Sequence, residues 1–407
     1  MRMKALLRHI MMLVCAVMAT TAIAQNNTAS PFSCYGLGDI NDNVPNTYRA
    51  MGGVGVGMRN RKVICPSQPA SFTACDSLTF MFDLAADVMW TRYGDDAGIK
   101  NKVNGNLEYI ALQFPLYKRY VAFSAGLLPF SSVGYNISMN DSINSDYHYT
   151  NLFFGDGGIS EIYGGLSVNL FDWVALGANV YYMFGDVTNS RSVSFTETEV
   201  KTVAQISNTS VSSVRFREGL QFFHTFGKHT FVLGAVFENK RTLKSDFIIA
   251  ETTQLDTVWT LSDIAEVPMM FGVGASYTWN DRLTLGFDFQ RSYWSQTKVF
   301  SDMDQLQDRN RYAFGVEYRH NPYGRNYAER MFWRAGCSVS DSYIGKVTRP
   351  DYLVSIGMGF PLRNAGTVFN VTVEYGHRGP AATLEENYLR MTVNAAIAEN
   401  WFFKRRL

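Results

Sequence analysis

In Phe80, Phe82, Leu84, Ala86, Val88 and Trp90 the apolar residues take every second position, while Thr79, Asp83, Asp87 and Thr91 occupy alternate ones. A period of two marks a β-strand with one apolar and one polar face. The alternation returns at Val174, Leu176, Ala178 and Val180, at Phe271, Val273, Ala275 and Tyr277, at Val354, Ile356, Met358 and Phe360, and at Leu389, Met391, Val393 and Ala395. It predicts fourteen strands, at roughly 78–92, 104–116, 118–130, 160–171, 173–185, 212–226, 229–241, 266–279, 282–296, 308–320, 329–340, 351–363, 367–378 and 387–398. Most hold ten or more residues. Strands of soluble proteins average about 5 to 6, whereas about 9 to 11 tilted residues cross a bilayer.

The connectors alternate in length. Short turns sit at Tyr117-Lys118, Phe171-Asp172, Gly227-Lys228, Asn280-Asp281 and Arg363-Asn364, with a longer one at 321–328. Longer polar segments fall at 93–103, 131–159, 186–211, 242–265, 297–307, 341–350 and 379–386. Short turns on one side and long loops on the other are the asymmetry of an outer-membrane barrel, with the short turns facing the periplasm. Aromatic residues near the strand ends predict two girdles: Tyr117, Tyr120, Trp173, Trp279 and Trp401 at the periplasmic rim, and Trp90, Tyr93, Tyr182, Tyr293 and Trp294 at the outer one.

Composition sharpens this picture. Of the 407 residues, 46% are hydrophobic, 14% aromatic and only 18% charged, against about 25% charged in soluble proteins. A formal net charge of +1 argues against nucleic acid as a partner. Arg2, Lys4 and Arg8, the apolar run from Ile10 to Met18 and Ala22-Ile23-Ala24 read as a signal peptide over residues 1–24. Cys15 does not make it a lipoprotein signal, because Val14 stands where Gly or Ala is needed. An exported chain this apolar, in which no later stretch approaches 18 consecutive apolar residues, has to hide them in strands that face lipid.

Residues 25–77 do not alternate. Gly36, Gly38, Gly52, Gly53, Gly55 and Gly57, with Pro31, Pro45, Pro66 and Pro69, make the segment irregular. Tyr35, Ile40, Met51, Val54, Val56, Ile64 and Phe72 give it apolar surface to pack. Residues 78–407 are read as an antiparallel, all-β transmembrane barrel of fourteen strands, which encloses more space than wall side chains fill, and residues 25–77 as a hatch folded into that lumen. The run Gly53-Val54-Gly55-Val56-Gly57 is not read as a phosphate loop, since no strand-turn-helix context surrounds it.

Gln68-Pro69-Ala70, just before the first strand, resembles the Asn-Pro-Ala hatch motif of the FadL-type outer-membrane transporters of long-chain fatty acids and other hydrophobic compounds, with Gln in place of Asn. The segment Val267 to Trp294 resembles that family's Pro…Gly-x-Gly…Tyr…Asp-Arg-Leu-Thr-Leu…Asp…Trp region, and the likeness continues through Tyr312–Arg319 and Trp333–Gly336. The resemblance implies a plugged, monomeric barrel of a Gram-negative outer membrane. It would passively admit a hydrophobic small molecule and release it sideways into the lipid. A FadL-related alternative is a protein-interaction barrel such as the shuttle component of type IX secretion.

Candidate chemistry is sparse. The six His residues show no metal-ligand spacing, and no Ser or Cys nucleophile sits beside a His base, so neither catalysis nor a cofactor is expected. Cys65 and Cys75 bracket the hatch motif, and either a disulfide or two buried thiols fits an exported chain. Gly126 and Pro129 interrupt the third strand. Pro cannot donate to a ladder and Gly permits a bulge, so the pair marks either a lateral opening or a strand end. In the family, a kink in this strand implies a lateral exit.

Overall fold

The computed structural model describes residue 28 and residues 30–95, 98–143, 147–195, 203–252, 257–262, 265–298, 306–345, 347, 349–362, 366–381 and 384–400. The predicted signal peptide, Trp401 and the turn at Arg363-Asn364 lie outside the described residues. Fourteen strands form the wall: β1 (Thr79–Asp95), β2 (Gly98–Tyr117), β3 (Val121–Ile143), β4 (Tyr147–Phe171), β5 (Val174–Phe195), β6 (Val203–Phe226) and β7 (His229–Glu238), then β8 (Met270–Trp279), β9 (Leu283–Ser292), β10 (Arg309–Tyr318), β11 (Phe332–Ser340), β12 (Asp351–Pro361), β13 (Val368–Ala381) and β14 (Leu384–Asn400). Each pairs antiparallel with the next, and β14 closes on β1, with Asn400 opposite Thr79 and Glu385 opposite Gly94.

Local chemistry sets the short turns. Between β8 and β9, where Trp279 pairs with Leu283, Asn280 and Asp281 both take positive φ, at 51° and 53°, and the Arg282 N–H donates to the Trp279 carbonyl at 2.9 Å, a left-handed pair whose twist matches that of the strands. The alternation then divides the wall. Ile162, Leu166, Val180, Leu233, Phe271, Phe287, Phe314, Ile356 and Val393 stand exposed on its outside, whereas Glu161, Gln221, Asp288, Arg334, Glu374 and Asn394 are buried within. An apolar belt outside and charge inside is the inverse of a water-soluble fold and places lipid around the barrel.

Several segments expected to be loops are largely strand, 93–103 and 379–386 among them, where the first and second and the last two wall strands run on. At 131–159 and 186–211, strands β3, β4, β5 and β6 continue to lengths of 23, 25, 22 and 24 residues. These exceed the 9 to 11 that a bilayer needs, so they rise beyond it as a ribbon. Here both faces meet water or the interior, and the pairing persists without the alternation that marks a strand in sequence. Within 242–265, Ser245–Thr252 adds to this ribbon, pairing with both β6 and Thr257–Ser262.

Residues 30–78 lie inside the ring, largely buried. They carry the short helix Asn46–Arg49 and the 3-10 helix Pro69–Ala74. Toward the outer end Phe32 and Leu37 join Phe130, Ile159, Met183, Leu243, Trp294 and Tyr343 in one apolar cluster. Trp294 therefore belongs to the interior and not to the outer girdle: it is buried, its ring centroid 4.9 Å from that of Tyr343. Trp90, Trp173, Trp279, Tyr117, Tyr120 and Tyr182 do stand exposed at the rims.

Candidate functional site

The luminal segment is fastened to the wall through its backbone. Asp288 of β9 points inward, and its carboxylate accepts hydrogen bonds from the N–H groups of Gly55 (2.5 Å), Val56 (2.7 Å) and Gly57 (3.1 Å). Successive N–H groups converging on one point form an anion nest, and here a wall carboxylate fills it. Next to it, Arg311 donates to the carbonyls of Gly53 (3.1 Å) and Gly52 (3.0 Å). Both glycines take positive φ, 72° at Gly52 and 80° at Gly53, which aims those carbonyls at the guanidinium. Arg49 pairs with Glu108 of β2 at 2.5 Å and Glu374 of β13 at 3.1 Å. Arg390 of β14 lies 3.3 Å from Asp87.

Gln68-Pro69-Ala70 sits at the centre of this packing. The Gln68 amide donates to the Val56 carbonyl at 3.0 Å and reaches the wall carbonyl of Ala235 at 3.3 Å, while its Oε1 accepts from the Ala70 N–H at 3.3 Å. It caps the 3-10 helix and touches the wall with one side chain, a span suited to Gln. A Cβ at Gly234 of β7 would collide with the Val56 carbonyl, so the wall is smooth where the luminal backbone runs against it.

Cys65 and Cys75 are unbridged, and the disulfide reading is corrected. The 3-10 helix turns the chain between them into different surroundings. Cys65 packs with Tyr48 and Met51, its Sγ 3.1 Å from the Ser67 Oγ, and burial pushes its thiol up to about 11. Cys75 packs with Ile64, Phe72 and Tyr109.

The wall has one seam among the described residues. β2 and β3 pair from Ile110 opposite Leu127 down to Tyr117 opposite Val121, and no further. Above that level β2 pairs only with β1, as far as Gly98, and β3 with β4, as far as Ile143. Bulges on both sides end the ladder. Glu108 is the extra residue of β2 against Ala85 and Ala86, and Phe130 the extra residue of β3 against Ser160 and Ile159. Both bulged side chains are buried: Glu108 meets Arg49, and Phe130 enters the outer apolar cluster. A bulge bends a strand and terminates pairing.

Gly126 lies below the seam and does not open it. It is in register with Ala111 on one side and Tyr163 on the other, and a Cβ there would meet the Ile110 carbonyl and, at 2.8 Å, the Tyr163 ring. This glycine makes room for a buried tyrosine. Pro129 does lie at the seam, beside the bulge, yet the strand continues past it and the strand-end reading falls away.

At the seam the luminal segment takes over the missing partner. Asp39 and Ile40 pair antiparallel with Ser132 and Ser131 of β3, and the Asn41 N–H donates to the Phe130 carbonyl at 2.9 Å. One edge of β3 already holds β4, so this short strand occupies the edge that β2 vacates. Arg378 of β13 holds Asp39 at 2.9 Å, and Arg309 of β10 holds Asp42 at 2.6 Å. Burial alone would raise the Asp42 carboxyl; Arg309 and Arg311 outweigh it and keep it well below the usual carboxylate range. A cavity of about 160 Å³ lies behind the seam, reached by Leu107, Glu108, Pro129 and Ser132, and its lining mixes charged groups such as Asp39, Asp42, Arg309, Glu374, Arg378 and Arg390 with apolar ones such as Val44, Met89 and Leu353.

Among solved structures, the chain is similar to the toluene transporter TbuX of Ralstonia pickettii, with 14% identity and a TM-score of 0.60 over 87% of this chain and 98% of that one. It is also similar to a FadL homologue of Pseudomonas aeruginosa, with 13% identity and a TM-score of 0.61 over 90% and 100%. A third likeness is to the toluene transporter TodX of P. putida, with 15% identity and a TM-score of 0.56 over 88% and 98%. At such identities the likeness is one of fold, a FadL-type barrel. No curated protein matches the chain. A family model described as BamG matches residues 6–407, so the chain is a member of the BamG family.

Proposed function

We propose that the barrel is an outer-membrane docking protein that holds an extended segment of a partner polypeptide along the outer half of β2, with residues 30–78 as a fixed hatch. The observation that carries this reading is the open edge of β2 from Gly98 to Gly105, which has a paired strand on one side and the seam on the other. Unpaired strand edges accept strands, and across this seam β3 already accepts one from the luminal segment. Ile99 and Val103 stand 60% and 65% exposed on the open strand and offer apolar grip. The lumen argues the same way. Its outer apolar cluster is filled by the chain's own side chains, and the cavity behind the seam, although Val44, Met89 and Leu353 also line it, presents charged side chains whose desolvation an apolar solute would not repay.

A photo-crosslinker at Val103 should yield a discrete protein adduct in intact outer membranes, and one at Phe287, on the lipid face of β9, should not. Equal adducts from both positions, or none from Val103, would overturn docking at the seam. Deleting residues 30–70 should raise single-channel conductance if they close the lumen.

The second reading is passive uptake of a hydrophobic small molecule with release through the wall, and the seam itself favours it. It requires the Asp39–Ile40 strand to move. Ile40→Cys with Ser131→Cys joins residues in direct register, at a separation a disulfide can span. Oxidation should then stop uptake of a hydrocarbon probe, while docking on β2 should survive it.

A further inference from the structure

The open edge of β2 carries a pattern of its own. Ile99, Asn101 and Val103 share the outward face, since Val103 lies opposite Trp90, which stands exposed on the outside of β1. Lys100, Lys102 and Asn104 take the alternate, inward face, opposite Tyr93, Thr91 and Met89. Both lysines are exposed. The carboxylates described on the inward face nearby are engaged elsewhere. Glu386 of β14, opposite Tyr93, accepts from the Ser30 hydroxyl and lies 3.7 Å from Arg378. Lower down, Glu108 is held by Arg49 and Asp87 by Arg390.

A strand added to this edge must share the faces of its neighbour, because side chains alternate with a period of two and opposite residues lie side by side. Its inward side chains then stand beside Lys100, Lys102 and Asn104, a row that presents hydrogen-bond donors. The Asn104 amide nitrogen is buried with no acceptor among the described residues. Opposite charges across a ladder stabilise the pair, and like charges disfavour it. The outward side chains of the added strand stand beside Ile99 and Val103, close to Trp90 at the outer rim, where apolar and aromatic groups are at home.

We infer that the segment docked on β2 is an extended strand in which Asp or Glu alternates with apolar residues. Its carboxylates pair with Lys100 and Lys102, and its apolar side chains cover Ile99 and Val103. The inference rests on the docking reading above and adds to it the chemistry of the partner. A lipid headgroup fits less well, since the lysines share the inward face and not the face toward lipid. A small anion fits less well too, since it leaves the backbone edge unpaired and both apolar side chains bare. Charge pairing of this kind steers encounter and weakens with salt.

The test uses the full chain in detergent and four fluorescent peptides of equal length, read by anisotropy. Three alternate Val with Glu, with Thr or with Lys, and the fourth scrambles the Glu–Val peptide out of alternation. The alternating Glu–Val peptide should bind most tightly and lose affinity with salt, the Thr–Val peptide should bind more weakly, and the other two should not bind. A photo-crosslinker at Val103 should capture the bound peptide. Lys100→Gln with Lys102→Gln should weaken the Glu–Val peptide by about threefold to tenfold and leave the Thr–Val peptide unchanged. Lys228→Gln with Arg325→Gln, at exposed positions of the short turns, should change neither. A heat-dependent gel shift retained by every variant confirms that each is folded. If no peptide binds, the docking reading and the inference fall together. If Glu, Thr and Lys peptides are captured equally at Val103, docking stands and the inferred chemistry is wrong. Equal binding of the scrambled peptide, equal loss in the short-turn variant or full displacement by inorganic phosphate would also overturn it.

Discussion

The hairpin of β8 and β9 and the hairpin of β2 and β3 are both adjacent antiparallel strands joined by a short turn, yet they differ in outcome. In the first, ten consecutive residues pair in register from Met270–Ser292 to Trp279–Leu283, with no bulge. In the second the ladder stops at Ile110 and Leu127, although both strands run on for a dozen residues or more. The interior separates them. Behind β8 and β9 the luminal segment is locked to the wall by Asp288 and by Ser276, whose hydroxyl donates to the Gly57 carbonyl at 2.7 Å. Behind the seam it takes the place of the wall, so closure and opening are set by one segment at two of its points.

The largest expected effect breaks the closed region. Asp288→Ala leaves three converging N–H groups buried without an acceptor, at about 1 to 3 kcal/mol each. The luminal segment should loosen, trypsin should cut after Arg59 or Arg61 in the folded barrel, and single-channel conductance should rise. Resistance to trypsin equal to that of the parent would show that Asp288 is not its anchor. Next comes the lipid face of the same hairpin. Phe271 is exposed on β8, and Phe271→Arg should cost about 2 to 4 kcal/mol near the bilayer midplane, read as a drop in the temperature at which the gel-shifted form unfolds.

Much of this contrast was legible in the sequence, and its decisive parts were not. Alternation such as Phe271, Val273, Ala275 located the wall strands, because lipid on one side and a polar lumen on the other impose a period of two. The upper parts of β4 and β5 lost that imprint beyond the lipid and read as loops. The bulges at Glu108 and Phe130 follow from what the luminal segment offers each residue, Arg49 to one and an apolar cluster to the other, and no local pattern records such long-range partners. Gly53-Val54-Gly55-Val56-Gly57 did carry a signal. Its small residues form an anion-binding backbone, and the anion is the side chain of Asp288, more than 200 residues away in sequence.

A smaller effect probes the gripped strand at the seam. Asp42 is 29% exposed and Arg309 21%, so solvent screens the pair and Asp42→Asn should cost about 1 kcal/mol. Its pH dependence has a defined sign. Because Arg309 and Arg311 hold the folded carboxyl below the value near 3.9 of an unfolded chain, the stabilisation is present above that value and fades as pH falls through the lowered one. The stability difference between parent and Asp42→Asn should therefore be constant from neutral pH to about pH 5 and shrink only in strong acid. A difference that vanishes between pH 7 and 5 would mean that the tie resides elsewhere.

The smallest effect belongs to Pro129, and it is read against Gly126 on the same strand. Gly126→Val drives a side chain into the Ile110 carbonyl and the Tyr163 ring, an overpacking that should cost about 1 to 3 kcal/mol. Pro129→Thr should change stability by less than about 1 kcal/mol, since it adds at most one ladder donor. It should not close the seam either. The strands part because Glu108 and Phe130 are drawn inward by partners that the substitution leaves in place, and because Asp39 and Ile40 already occupy the edge of β3 just above. Adduct formation from Val103 should accordingly be unchanged in Pro129→Thr. If that variant instead lost the adduct and gained heat stability, the missing donor would be the cause of the opening, and the bulges only its consequence.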